Sequence, residues 1–364
     1  MNIQYIGPYR QTDGWGLAAK DYLKALMTIP DVHVSCFYSV TNASSMTNDI
    51  EEKIKIAEAT HIKDPDIIIQ KAMLEGCVPH SMPDAKNLLL TVFENYNIKT
   101  SLNKMYSYFD GILVPCKMNK RAVSEYNPNT FTISQPVDTD HIFKNSESKL
   151  ELGGLTDTYK FYVIAEDNER KNIQDTILAF LMEFDPMVDK VELIIKSSIP
   201  QELLNSQIKE MKEVIKYKSF TSENYIRSIP ERLTDDQMVA LHNSCDCFIS
   251  TSHGEAFCRG AAEALCCSNR IIIHDNIGII DYVHEEDFEQ IEINLEPVFL
   301  AHSYKSLQSL DIYSSEELWA NTSLKSIKQK MRKAYEESLG VDKDKYLEEF
   351  SYVNIGKKIC LSFT

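Results

Sequence analysis

Ile249-Ser-Thr-Ser-His-Gly-Glu-Ala-Phe-Cys-Arg-Gly-Ala-Ala-Glu-Ala-Leu265 is the stretch whose reading decides the fold. The apolar residues around Ile249 predict a strand, the Gly-punctuated segment a turn, and the Ala-rich run a helix. Its two carboxylates, Glu255 and Glu263, stand eight positions apart. If the helix starts near Glu255, eight residues at the helical rise span roughly 12 Å and a little over two turns, which leaves both side chains on broadly the same side. The same interval also suits a plain amphipathic helix, with one Glu favoured by the macrodipole at the amino end and one solvated Glu two turns later.

Working outward, strands are predicted at 2–6, 32–37, 67–70, 88–92 and 111–114, with helices between several of them and a β-turn-α opening through Gly14. The polar, Gly-containing stretch 144–156 marks a domain junction. Beyond it strands recur at 160–165, 191–195, 247–251 and 270–273. Helices fit 201–216, 235–243 and 323–338, and a further helix carries Ile173, Ile177, Phe180, Leu181 and Phe184 as one apolar stripe. Such alternation implies an α/β fold with two parallel sheets. The expected layout is two Rossmann-like domains facing across a cleft, 1–147 and 148–343. The closing segment 344–364 is expected to be a helix that packs back towards the N-terminal domain.

The length of 364 residues suits two domains, and 43% hydrophobic with 25% charged residues is an ordinary globular composition. No leader-like segment and no long apolar run stands out, so a cytoplasmic protein is expected. Nine cysteines fall at spacings that fit neither a metal knuckle nor a disulfide framework, which points to free thiols in a reducing compartment. The formal net charge of -16 argues against broad capture of nucleic acid or anionic membrane.

Several motifs carry chemistry. Gly7-Pro-Tyr-Arg-Gln-Thr-Asp-Gly-Trp-Gly16 joins the first strand to the first helix; Gly14 and Gly16 would let the backbone approach an anion at a helix amino end, and a plain βα turn is the bland reading. Leu90-Thr-Val-Phe-Glu-Asn-Tyr-Asn97 places Glu94 past a strand end, as a sugar or acceptor contact or as a strand-end acid. Ala165-Glu-Asp-Asn-Glu-Arg-Lys-Asn-Ile173 places Arg170 and Lys171 at a helix start, where cations are not the favoured residues. Asp64-Pro-Asp66 and Asp138-Thr-Asp140 are read as turns rather than metal sites.

In order and approximate spacing these segments, with Asp275-Asn-Ile-Gly-Ile-Ile-Asp-Tyr-Val283 and Phe350-Ser-Tyr-Val-Asn-Ile-Gly-Lys-Lys358, resemble glycosyltransferase family 4 (glycosyl transferases group 1), whose Glu-x7-Glu signature matches Glu255 and Glu263. The resemblance covers nearly the whole chain, although each motif is degenerate. Ala256, Cys258 and Ser268 replace family glycines. Glu166 or Asp167 replaces the family Arg, and Phe93-Glu94 stands where many members carry His.

The resemblance implies a GT-B fold and a retaining, metal-independent transfer of a hexose or related sugar from a UDP- or GDP-sugar to an acceptor hydroxyl on a glycan, lipid or protein. No cofactor is implied beyond this donor substrate. Glu255, Lys171 and Arg170 would be catalytic. Gly14, Gly16, Glu263, Phe257 and Glu94 would bind the donor or its sugar. The departures leave two alternatives: a nucleotide-sugar binding protein without transfer activity, and a glycosyltransferase acting on modified DNA, for which the basic run 117–121 is the sole support.

Overall fold

The computed structural model describes all residues except 40–45, 74–75, 80–81, 83, 99, 154–156, 186–187, 217–224, 299–315 and 364, and the side chains of 100–103. The chain divides into two units, Met1–Asp140 with Leu347–Thr364, and His141–Tyr346.

In the first unit the chain runs β1 (Asn2–Gly7), α1 (Gly14–Leu26), β2 (His33–Tyr38), α2 (Glu52–Ala59), β3 (Ile67–Lys71), β4 (Lys86–Leu90), β5 (Gly111–Val114), α3 (Lys117–Val123) and β6 (Thr130–Thr132). The six strands form one sheet in the order β2-β1-β3-β4-β5-β6, and every neighbouring pair is parallel. All five residues of β3 are buried, as expected of a central parallel strand covered on both faces. Ile3, Tyr5, Ile69 and Leu90 pack with Tyr22, Leu23 and Leu26 of α1, while Leu89, Ile112 and Val114 form a second cluster with Phe109 and Val123. The strand order reverses direction between β1 and β3, and α/β sheets bind ligands at the carboxyl ends of strands at such a switch point.

The closing helix Tyr352–Leu361 belongs to this unit. Ile355 and Ile359 enter the core, and Tyr352 Oη donates to Asp21 at 2.7 Å. Gly356 lies so close to α1 that a Cβ there would stand 2.4 Å from the Ala25 carbonyl oxygen. A glycine is what permits the two helices to touch.

Helix α4 (Thr139–Lys144) carries the chain over the division. The second unit continues through β7 (Tyr159–Ile164), α5 (Ile173–Glu183), β8 (Val191–Lys196), α6 (Gln201–Val214), β9 (Ile226–Ile229), α7 (Asp235–Asn243), β10 (Cys247–Ile249), α8 (Arg259–Cys266), β11 (Arg270–Ile273) and β12 (Phe288–Gln290). Its sheet is again all parallel, in the order β12-β11-β10-β7-β8-β9. Counted from β7, this is the 3-2-1-4-5-6 order of dinucleotide-binding domains, with the switch point between β7 and β10. An antiparallel hairpin, β13 (Ile293–Pro297) and β14 (Leu318–Thr322), stands apart from the sheet, and the helix Leu324–Glu337 follows it. The predicted stripe on α5 is buried, with Ile173, Ile177, Phe180, Leu181 and Phe184 all in the core.

The predicted strands all form, with ends shifted by at most two residues. Strands β6, β9, β12 and the hairpin were not predicted; β6, β9 and β12 have only three or four residues, too few to show a period of two.

One expectation is corrected. No helix starts near Glu255: α8 begins at Arg259, after Cys258 in the left-handed region at φ 75°. Glu255 sits in the preceding turn, bridged to Ile277. The two carboxylates therefore do not share a helix face. Cys258, held in a left-handed conformation that glycine adopts freely and helical residues do not, is what stops the helix from extending backwards.

Candidate active site

The residues that follow β7 and β10 meet at the switch point of the second unit. After β7 the chain passes through Asn168, whose Oδ1 accepts from the Lys171 amide at 3.1 Å, into a short 3₁₀ turn, Glu169–Lys171. Asn172 then takes a left-handed conformation, φ 45°, and α5 starts at Ile173. Two cations thus sit on a sharp turn immediately before the amino end of a helix, whose partial positive charge adds to theirs. Thr251 Oγ1 donates to the Asn172 carbonyl at 2.7 Å and meets Thr176 Oγ1 at 2.9 Å, which ties the turn to the strand that precedes Glu255.

Glu255 completes the cluster. Its Oε1 accepts from Arg170 Nη1 at 3.1 Å and from Lys171 Nζ, and Arg170 Nη1 also donates to the Gly254 carbonyl at 2.7 Å. The Glu255 side chain is only 10% exposed. Burial alone would raise its pKa, but the Lys171 and Arg170 charges outweigh it, and the carboxyl is held well below the usual carboxylate range. Two adjacent cations and a carboxylate more than eighty positions away thus form one charged group, buried yet balanced by hydrogen bonds.

The turn around Glu255 is held by neighbouring residues to which no motif assigns a role. The His253 amide and Ser252 Oγ both donate to the Arg170 carbonyl, at 2.7 and 3.0 Å. His274 Nε2 lies 2.7 Å from the Ser252 carbonyl, and burial pushes its pKa down to about 4, which makes it a neutral donor at physiological pH. Asn276 Nδ2 donates to the His253 carbonyl at 2.9 Å. The His253 ring stacks on Trp319 of β14, centroids 5.1 Å apart and nearly coplanar, and its Nδ1 is 2.7 Å from the Ala320 carbonyl. Asn276 lies inside the Asp275–Val283 turn motif and His274 immediately before it. Trp319 arrives from the hairpin, a long-range placement with no local signal.

Glu263 is on α8, away from this cluster's hydrogen bonds. Its Oε1 accepts from Arg259 Nε at 2.7 Å, an i,i+4 pair, and its Oε2 is 3.4 Å from His242 Nε2. Burial opposes its charge, yet Arg259 and then His242 prevail and hold the carboxyl at about 2. His242 is itself fixed by Tyr162 Oη, 2.7 Å from its Nδ1. Phe257 is buried, edge-on to Tyr282 at 6.2 Å, and its carbonyl accepts from the Ile279 amide at 2.9 Å; it seats the loop rather than lining a surface. Glu166 turns away to Ser198, its Oε2 accepting at 3.0 Å.

The remaining candidates lie in the first unit. Gly14 is exposed and a Cβ there would touch nothing within 4 Å, so local packing does not require a glycine. At Gly16 a Cβ would stand 2.3 Å from the Gln11 carbonyl oxygen; this glycine is needed because the loop folds over the start of α1. Asp13 caps that helix, Oδ1 accepting from the Gly16 amide at 2.8 Å. Glu94 follows β4, half-buried, in a loop anchored by Asn119, which exchanges hydrogen bonds with the backbone of Phe93 at 2.9 and 3.3 Å.

Among the described residues no group of three or more His, Cys, Asp or Glu is placed to hold a metal, all nine cysteines are free, and no helix is long and apolar enough to cross a membrane. Asp66 instead accepts from the Asn2 amide at 2.7 Å, and Asp138 from Lys24 at 2.9 Å.

No protein-family model matches this chain, and neither does any curated protein sequence. Solved structures do. A glycosyltransferase from Rickettsia africae ESF-5 superimposes with a TM-score of 0.63 at 12% identity, covering 99% of this chain and 97% of that one. Anabaena Alr3699/HepE, in complex with UDP and glucose, gives 0.62 at 12% identity over 99% and 98%. The lipopolysaccharide outer core galactosyltransferase WaaB gives 0.64 at 12% identity over 100% and 99%. At such identities the likeness speaks to architecture, and with the two parallel six-stranded sheets it establishes that this chain has the GT-B fold of two Rossmann-like domains.

Proposed function

We propose that the chain is a retaining glycosyltransferase of the family 4 type, moving a sugar from a UDP- or GDP-sugar to an acceptor hydroxyl on a glycan, lipid or protein without a metal ion. The observation that carries this reading is the meeting of Arg170, Lys171 and Glu255 at the β7/β10 switch point. A sugar transfer leaves negative charge on the departing diphosphate, and preorganised cations at a helix amino end are what stabilise it. Glu255 orients the sugar beside them, and Glu263 accepts from the ribose hydroxyls. Residues 148–343 form the donor domain and 1–147 the acceptor domain, with 344–364 returning to the latter. Gly14, Gly16 and Glu94 approach the sugar or diphosphate, and Phe257 backs the Glu255 loop. The UDP-bound neighbour supports a nucleotide-sugar donor.

A panel of UDP-, GDP- and ADP-sugars in a thermal shift assay tests this. A donor at a hundred times its Kd stabilises the folded state by about 2.7 kcal/mol, which for a unit of this size is a rise of about 5–10 °C. No shift with any nucleotide sugar overturns the proposal. A second reading, binding without transfer, is favoured by the acids Glu166 and Asp167 at the position of the family Arg; it predicts the same shift but neither transfer nor slow donor hydrolysis.

A further inference from the structure

Lys71 ends β3 at the β1/β3 switch point of the first unit, where it pairs with Leu90 of β4. It is 1% exposed, and its Nζ has no hydrogen-bond acceptor among the described residues. Among the described residues its ammonium contacts the Trp15 ring, 3.6 Å from the ring centroid. Burial alone pushes the amine down to about 7, with no carboxylate acting to raise it. Every other lysine or arginine that is buried in the described structure, Lys24 and Arg270, has carboxylate partners. A desolvated ammonium without a carboxylate partner is costly, and strongly perturbed ionisable groups cluster at functional sites.

The surroundings fit an anion. Gly7 at the end of β1 brings backbone against Lys71: a Cβ there would stand 3.1 Å from the Lys71 Cβ and 3.0 Å from the Tyr5 ring. Trp15 is the second residue of the thirteen-residue helix α1, and helix geometry leaves the amides of Gly14 and Trp15 without an intrahelical acceptor. Trp15, whose ring covers the ammonium, is itself only partly buried. None of the sequence motifs contains Lys71.

We propose that Lys71 is a substrate-binding residue: its ammonium, uncovered by a swing of Trp15, receives a phosphate or carboxylate group held at the amino end of α1. This rests on the proposed function in one respect, that the anion is carried by a substrate of the transfer, either as the donor diphosphate or as an anionic group of the acceptor.

The test is titration of the full chain with UDP, pyrophosphate, inorganic phosphate, glucose 6-phosphate and glucose, followed by tryptophan emission in a Trp319→Phe background so that Trp15 alone reports. The wild type is expected to respond to at least one anionic probe and not to glucose. Lys71→Met, nearly isosteric, should raise the half-saturating concentration of that probe at least tenfold. A loss for UDP and pyrophosphate assigns the donor diphosphate; a loss confined to glucose 6-phosphate or phosphate assigns an anionic acceptor. Changes below twofold for every probe, or no anion response in the wild type, overturn the inference. Absence of UDP binding with a retained, Lys71-dependent phosphate response would instead remove the donor reading and leave the anion site standing. Should Lys71→Met fail to fold, acylation of Lys71 in the unmutated chain, read by peptide mass, should be suppressed at least tenfold by the bound anion; unaltered labelling refutes the site.

Discussion

Glu255→Gln isolates the charge at the centre of the candidate site while keeping its shape. In the wild type one carboxylate oxygen serves both Arg170 and Lys171, and the three side chains are 10%, 14% and 22% exposed. Removing one partner from a buried ion pair typically costs 3–5 kcal/mol, because the other charge is left desolvated. Here Arg170 keeps its bond to the Gly254 carbonyl, Lys171 keeps some access to water, and the Gln oxygen still accepts one hydrogen bond. The expected loss is therefore about 2–3 kcal/mol, or about 5–10 °C for a unit of about 200 residues. Trp319 lies in that unit against His253, so denaturation followed by its emission in a Trp15→Phe background reports the correct transition.

The pH dependence fixes the sign. A carboxyl whose pKa is lowered by folding contributes stability that is present above its ordinary value and lost as the pH falls through the folded value. Glu255 is such a group, so the gap between wild type and Glu255→Gln should be full at pH 7 and close on acidification below about pH 4.5. Glu263 is depressed likewise but is present in both proteins and cancels. No gap at pH 7, or an undiminished gap at pH 3, refutes the electrostatic reasoning. A further consequence separates structure from catalysis: if a diphosphate binds Arg170 and Lys171 as proposed, the carboxylate competes with it for these two cations, so Glu255→Gln should bind UDP at least as tightly as wild type while turnover falls.

Glu263→Ala should weaken UDP-sugar binding by about 2–3 kcal/mol if the group accepts from a ribose, through lost hydrogen bonds to a charged acceptor; calorimetry showing unchanged affinity would leave Glu263 as only the partner of Arg259 and His242. Cys258→Gly should raise the stability of the second unit by up to about 1 kcal/mol in urea denaturation, because glycine relieves a left-handed residue that costs roughly 1–2 kcal/mol, less the chain entropy glycine adds. Gly356→Ala should destabilise the first unit by about 2 kcal/mol or more, since its Cβ would meet the Ala25 carbonyl and Ile29 Cδ1 at 2.4 and 2.5 Å; exchange of amides in the segment 352–361 should accelerate.

The sequence carried the fold because its long elements are strongly patterned. Buried parallel strands such as Ile67–Lys71 read as unbroken apolar runs, and the stripe on α5 has a clean helical period. The strand orders were not legible, since period says which face is buried and nothing about which strand lies beside which. Arg170, Lys171 and Glu255 were legible as candidates because each sits in a motif just past a strand. Their spacing to Glu263 misled: an interval of eight positions measures a helix only if the helix runs through it, and Cys258 at positive φ ends that possibility.

Lys71 shows the opposite failure, a chemically unusual residue with an unremarkable sequence. Its neighbours Ile67, Ile68 and Ile69 announce a strand, and a lysine after them reads as a charge leaving the core. Only the topology reveals that this strand end is the β1/β3 switch point, with Gly7 beside it and Trp15 over it. The second unit repeats the arrangement with its cations at the β7/β10 switch point, but there the carboxylate of Glu255 is already in place. The difference is physical and decides how each site must answer an anion. A ligand arriving at Arg170 and Lys171 has to displace an internal carboxylate and gains only the difference between two anions, whereas one arriving at Lys71 discharges an uncompensated desolvation and has only a tryptophan ring to move.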